Sequence, residues 1–317
     1  MPGILNLATK QRDALTMQEQ QARLVLAAEY GRAYRAIQSD LADVERLIAT
    51  AGDHRSRVWL QQQRTYKKLM QGINAAFGDY GTFVEGNILQ QQTRAAAQAL
   101  TDSAALLKAG KVKPASFKHD WITNLIAGMQ KRITRLNLPK AIPAAVTEKV
   151  KASINKALFS TQKLVDTTRT ALGGVLSRVM GIHQTETMHA YRLVGNEVCK
   201  ASGVQHWQWA ARLNKRPAPC AMCCAMHGKV FDITVPFGTH PHCYCIAVPV
   251  IGNVLPIQQS GTDWFTQQNE AVQRDILGTK YTAFSDGKIT LEDTIGYKVH
   301  PEYGVVRWER SARALGV

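Results

Sequence analysis

Long apolar runs are missing from this 317-residue chain; nowhere do eighteen apolar residues follow one another, so no segment is expected to span a membrane. The opening MPGILNLATKQRDALTMQ has no basic start followed by an apolar block, and no signal peptide is expected. Cysteine is scarce. Six in 317 residues is far below the density of a disulfide scaffold, and the chain reads as one made in a cytoplasm, where thiols stay reduced. No P-loop, G-x-G-x-x-G or G-x-S-x-G occurs in a suitable context, which removes the common nucleotide-binding and serine-hydrolase signatures. His183 and His189 are separated by five residues, whereas H-E-x-x-H separates its histidines by three, so they do not make a zinc-protease helix; with Glu186 they read as a helix-surface or packing cluster.

The cysteines that do occur are concentrated. Residues 219–245 read PCAMCCAMHGKVFDITVPFGTHPHCYC and hold five of the six, with three of the nine histidines. Cys220 and Cys223 form a C-x2-C step, nineteen residues intervene, and Cys243 and Cys245 form a C-x-C step preceded by His240 and His242. Two sulfur-rich turns this far apart can close on one tetrahedral ion, and zinc takes four such ligands. The second step is C-x-C rather than C-x2-C, so more candidate ligands are present than zinc needs. Three readings stay open: a zinc site, reduced and partly buried thiols, or a disulfide such as Cys220 to Cys243. Only the nearby His227 speaks for an activated thiolate, so a catalytic cysteine is the weakest reading. Between the two steps, Gly228, the run from Val230 to Val235 and the break at Pro236 to Gly238 have the composition of a hairpin.

Elsewhere the pattern is helical. Leu24, Leu26, Ala27, Tyr30, Tyr34, Ile37, Leu41, Val44 and Ile48 recur mostly at three- and four-residue steps, predicting a helix over 8–51. A second helix is expected over 54–109, with a break at Gly78 to Gly81, and the two should form a long antiparallel hairpin. Gln61 to Gln63 and Gln90 to Gln92 read as helix surface. Helices over 118–136, 144–171 and 175–201 follow, separated by Leu138-Pro139, Ile142-Pro143 and Gly173-Gly174. After Gly203, residues 205–210 alternate as a strand, with Trp207 and Trp209 on one side as core packing. Residues 245–251 read as an apolar edge strand because of Pro249. Residues 263–277 are helical up to Gly278, Thr290 can cap a small helix, and 297–317 is a weakly patterned basic tail expected to be ordered only against a neighbour.

The fold class is therefore a mainly α N-terminal region, a long helical hairpin, followed by a small α+β C-terminal module with a zinc-stapled hairpin. The expected division is a helical arm over 1–110, a basic helical linker region over 111–174, the α+β module over 175–296 and the tail. Charge is uneven. The net charge is +15, and residues 103–180 alone hold fourteen Lys and Arg against three acids. Such a block favours a polyanion, and Lys131, Arg132, Arg135, Lys140, Lys149 and Lys151 are its candidate nucleic-acid contacts.

Three pieces of the C-terminal half carry a resemblance. They are RVMGIHQTETMHA at 178–190 with its Thr185-Glu186 step, the Trp-bearing strand leading into Cys220, Cys223, His227 and Gly228, and His240-Pro241-His242-Cys243-Tyr244-Cys245-Ile246. Together with Gln273 to Gly278 and Gly287 to Ile289, they resemble the phage Mu F-like head morphogenesis family, the minor head proteins of tailed phages. The likeness runs over about 175–293 and leaves out the N-terminal helices. Gln184 stands where the family has Arg, Tyr244 where it has the Arg of C-R-C, and residues 211–215 lack its acid; these replacements bear on any ion pair among those positions. The family's H-P-x-C-R-C ending implies His240 rather than His242 as a ligand, hence Cys220, Cys223, His240 and Cys243, with Cys245 as substitute. The resemblance implies a non-enzymatic virion component near the portal, in the head or neck, docking on portal or major capsid protein and touching DNA or scaffold protein, with no membrane and no small-molecule substrate. The alternative is a zinc-containing, non-specific nucleic-acid-binding protein.

Overall fold

The computed structural model describes residues 2–52, 56–118, 120–160, 162–215, 218–252, 254–300 and 304–317. Helices α1 (Pro2–Thr50), α2 (Arg57–Gln62), α3 (Arg64–Ala109), α4 (Trp121–Leu136), α5 (Leu138–Phe159) and α6 (Leu164–Ala201) come first. A small α+β region follows, so the chain is mainly α with a short antiparallel module at its end. Along α1, Leu26, Tyr30, Ala33, Ile37, Leu41, Val44 and Ile48 are buried; along α3, Leu69, Ile73, Phe77, Tyr80, Val84 and Ile88 are. Both sets step by three or four, so each helix turns one stripe inward. Val146, Val150 and Ile154 of α5 and Leu172, Val175 and Val179 of α6 complete the same core.

Several expected breaks are absent. α3 runs through Gly78 to Gly81 without interruption; the real discontinuity is at Gln63, whose extended backbone separates α2 from α3. The predicted helix start at His54 lies outside the described residues. Gly81 is a close-approach residue, because a Cβ there would meet the Leu138 carbonyl oxygen at 2.4 Å. Pro139 and Pro143 lie inside α5. Pro139 falls in the first turn, where a missing N–H costs nothing, and Asn137, left-handed at φ 48°, turns the chain into the helix. α6 passes through Gly173-Gly174, and the break falls earlier, between Ser160 and Leu164.

The chain divides into two compact units. One is Gln18–Gln91 with Ala127–Glu186; the other is Met1–Met17, Gln92–Ile126 and Thr187–Val317. This differs from the division at 110, 174 and 296. The reason is that the long helices are continuous through both units, so distant segments, rather than consecutive ones, share a core.

In the second unit, β1 (His206–Ala210) is the central strand of a three-stranded antiparallel sheet, between β2 (Val230–Asp232) and β3 (Ile246–Val250). Trp207 pairs with Phe231 on one side and Pro249 on the other, and Pro249 is tolerated because β3 is an edge. β2 and β3 therefore do not form a hairpin with each other. Helix α7 (Ala221–Met226) lies between β1 and β2, and α8 (Gly261–Thr266), α9 (Glu270–Leu277) and α10 (Tyr281–Ser285) follow β3. Thr290 and Asp293 cap each other's backbone N–H groups ahead of a short 3-10 turn. The region expected to be a tail instead forms β4 (Ile295–His300) and β5 (Gly304–Glu309), paired antiparallel, then α11 (Ala312–Leu315). β5 is held by the body of the unit: the Arg307 N–H donates to the Gly238 carbonyl oxygen at 3.3 Å.

Candidate metal centre

Local structure brings the sulfurs together in two steps. Cys220 precedes α7 and Cys223 sits one turn in, so both side chains leave the same end of the helix. Cys224, one residue on, is fully buried away from them, and burial pushes its thiol up. The second arm is the turn from Gly238 to Cys245. Gly238 has to be glycine, since a Cβ there would meet the Val305 carbonyl oxygen of β5 at 1.9 Å. His242 takes a left-handed conformation (φ 63°) that turns the chain back toward β3 and leaves its side chain at the surface.

Five side chains converge. His240 Nε2 lies 3.2 Å from Cys220 Sγ and 3.3 Å from Cys223 Sγ, and Cys223 Sγ lies 3.7 Å from Cys243 Sγ. The ligand atoms of Cys220, Cys223 and His240 lie within 4.8 Å of one another, as do those of Cys223, Cys243 and Cys245. A tetrahedral ion with metal–sulfur bonds of about 2.3 Å has sulfur–sulfur edges of about 3.8 Å, which the Cys223–Cys243 separation matches. This Cys/His cluster can hold a metal ion. All six cysteines are free thiols, so the disulfide reading finds no pair here.

The surroundings suit that role. His240 Nδ1 is 2.6 Å from the Pro241 carbonyl oxygen; as donor to it, Nδ1 leaves the Nε2 lone pair facing the sulfurs. Arg192 of α6 donates from Nε to the Cys245 carbonyl oxygen at 2.9 Å and from Nη2 to that of Cys243 at 2.7 Å, clamping the C-x-C turn in a two-pronged grip. The Cys245 N–H donates to Cys243 Sγ at 3.4 Å. Protons are shared unevenly among the bare side chains. The hydrogen bond from Cys223, reinforced by His240, holds Cys220 down at about 6. Burial opposes ionisation of Cys243, but hydrogen bonds from Cys223 and Cys245 and the charge of Arg192 carry it well below the usual thiol range. The hydrogen bond to Cys220 raises Cys223, and burial raises Cys245. Burial would lower His240, yet the two thiolates beside it lift it to about 11. A dication would replace those shared protons and suit all the sulfurs as thiolates.

His227 is not part of the cluster. Its Nδ1 accepts the Ala211 N–H at 3.0 Å, and burial, with Arg12 nearby, pushes it down to about 4. Trp207 and Trp209 are core, as expected. Trp209 stacks on Phe237 at 4.1 Å and Trp207 on Phe231 at 4.5 Å, with Arg192 over Phe237 and Arg307 over Phe231 closing the ends of the stack. Tyr244 lies under the Arg212 guanidinium at 5.5 Å. Arg192 and Arg307 escaped the sequence reading because an Arg in a helix or a basic tail looks like surface until its partners are known.

The helical unit corrects other expectations. Arg132 is half-buried and turned inward, in an ion pair with the buried Glu186, rather than free on the surface. Lys131, Arg135, Lys140, Lys149 and Lys151 are exposed, with Lys151 beside Glu148 at 3.1 Å. His183 is wholly buried, 3.3 Å from Glu19 Oε1 and 3.1 Å from Asn87 Oδ1, so packing rather than surface is correct for it. Gln91 and Gln92 are also buried, unlike Gln90 and Gln61. No family model, curated protein or solved structure matches this chain.

Proposed function

We propose that the chain is a structural minor head protein of a tailed phage, acting near the portal in head morphogenesis, and that its ion is zinc. The observation that supports this reading most is the closed geometry of the Cys/His cluster. Five ligands for four positions, three of them buried and Cys220 and His240 half-buried, leave no open position of the kind a catalytic zinc keeps. Cys220, Cys223, His240 and Cys243 make the first-choice set, because His240 Nε2 faces both Cys220 and Cys223 and Cys223 in turn approaches Cys243; Cys245 is the substitute, grouped with Cys223 and Cys243. The ion staples the module rather than acting on a substrate, and a small sheet with little core of its own gains folding free energy directly from such a site. The stretches that carry the resemblance to the phage Mu F-like family supply these ligands. In this reading the protein is made in the host cytoplasm and resides in the head or neck, with portal or major capsid protein as its partner and DNA or scaffold protein within reach. Mass spectrometry of purified heads is the test. The chain should be present at a fixed low copy number, and its absence from heads would reject the assignment.

The second reading, a zinc-containing non-specific nucleic-acid binder, draws on the exposure of Lys131, Arg135, Lys140, Lys149 and Lys151. Binding should be independent of sequence and fall steeply with salt. Reversal of Lys131 and Arg135 to Glu should weaken it, and equal affinity at low and high salt would exclude it.

A further inference from the structure

A cavity of about 140 Å³ opens in the helical unit between α2 and α5. Each helix brings one cation and one carboxamide to it. Arg57 and Gln61 are four residues apart on α2, and Lys151 and Asn155 are four apart on α5, so each pair shares a helix face. The floor is apolar, with Leu60 and Ile154 both buried, and among the described residues no carboxylate lines the walls. Two positive charges beside a low-dielectric floor attract an anion more strongly than the same charges on an open surface. Four donor groups from opposite sides suit a tetrahedral oxyanion, with acceptors in all directions. The volume is below the roughly 300 Å³ at which small-molecule sites begin, so the cavity fits a phosphate-sized group rather than a whole cofactor. Lys151 already contacts Glu148 at 3.1 Å, but both partners are solvent-exposed and such a pair is worth little, so it yields to a doubly charged ligand.

We propose that this cavity is a seat for a phosphate group, supplied either by free phosphate or by a nucleic-acid backbone. The test uses the full-length protein. Titration with inorganic phosphate at low ionic strength, followed by calorimetry, should show one saturable site. Arg57→Gln with Lys151→Gln should weaken it at least tenfold, with helical circular dichroism unchanged because both residues are exposed. Lys131→Ala with Arg135→Ala should leave it intact. Duplex DNA identifies the source. If the backbone supplies the phosphate, the double glutamine variant should lower the slope of log affinity against log salt by about 2, since two cation–phosphate contacts are lost. Retained phosphate binding with an unchanged slope, or with no DNA binding at all, identifies free phosphate as the occupant and still supports the seat. Absence of saturable phosphate binding together with an unchanged slope would overturn it, as would equal phosphate affinity in the parent and the glutamine variant.

Discussion

The unit made of Gln18–Gln91 and Ala127–Glu186 buries mostly Leu, Ile, Val and Ala in helical stripes, whereas the unit carrying the cysteines buries three tryptophans, three arginines and a knot of thiols around a five-residue central strand. The first solves the burial problem by repetition. Each turn of helix adds another apolar residue to one stripe, and no single side chain dominates. The second has short strands and short helices, too little regular structure to repeat anything, and depends on a few specific contacts. The Arg192 grip, the Phe231–Trp207 and Phe237–Trp209 stacks and the Cys/His cluster each serve one place only. The two units should therefore fail differently.

Removal of the ion is expected to have the largest effect. Chelation, or Cys223→Ser with Cys243→Ser, should cost on the order of 10 kcal/mol within the sheet module. Trp207 and Trp209 fluorescence should report loss of the module while most of the helical circular dichroism survives. Elemental analysis should find about one zinc per chain; none, with six titratable thiols and an unchanged melt, would erase the contrast between the units.

Next comes a specific polar contact of the helical unit, the Arg132–Glu186 ion pair. Glu186→Gln leaves the Arg132 guanidinium buried opposite a neutral amide and should destabilise that unit by about 3–5 kcal/mol. Replacing both partners, Arg132→Met with Glu186→Leu, should recover most of the loss in chemical denaturation. A double variant no better than the single one would show that other contacts of the pair matter more.

His227 sets a pH dependence of intermediate size. Burial holds it down to about 4, against about 6.5 in an unfolded chain, so its contribution is complete above 6.5 and is lost as pH falls from there toward 4. The full loss is about 3 kcal/mol. Because the cluster also responds to acid, the readout is the difference in melting temperature between the parent and His227→Gln from pH 7.5 to 5. Parallel curves would remove His227 as the cause.

The smallest expected effect is at Arg192. Arg192→Ala unclamps the carbonyl groups of Cys243 and Cys245 and should lower metal affinity by about 10–100-fold in a chelator competition. Arg192→Lys keeps the charge but not the two-pronged grip, so it should recover only part of the loss. Full recovery with Lys would mean that charge alone matters.

The sequence by itself determined whatever depends on neighbours three or four residues away. Leu26 to Ile48 and Leu69 to Ile88 announce buried helical stripes by their spacing, and C-x2-C announces two sulfurs on one side because a helical turn places them there. Alternation at Trp207 and Trp209 gave away the strand, and Pro249 its edge position, for the same local reason. Local rules misled where a distant surface overruled them. Gly81 looked like a helix breaker but makes room for the Leu138 backbone, and Gly238 does the same for β5. Arg132, Gln91 and Gln92 looked like solvent-facing residues, and a polar residue in a helix carries no mark of what will lie opposite it. Only the tertiary structure decided that β2 and β3 flank β1, that Arg192 grips the cysteine turn and that residues 295–309 are a strand pair rather than a tail. Each of these joins groups from separate parts of the chain, and a pairing of that kind is selected by the free energy of the whole packed unit, to which the local pattern contributes only a part.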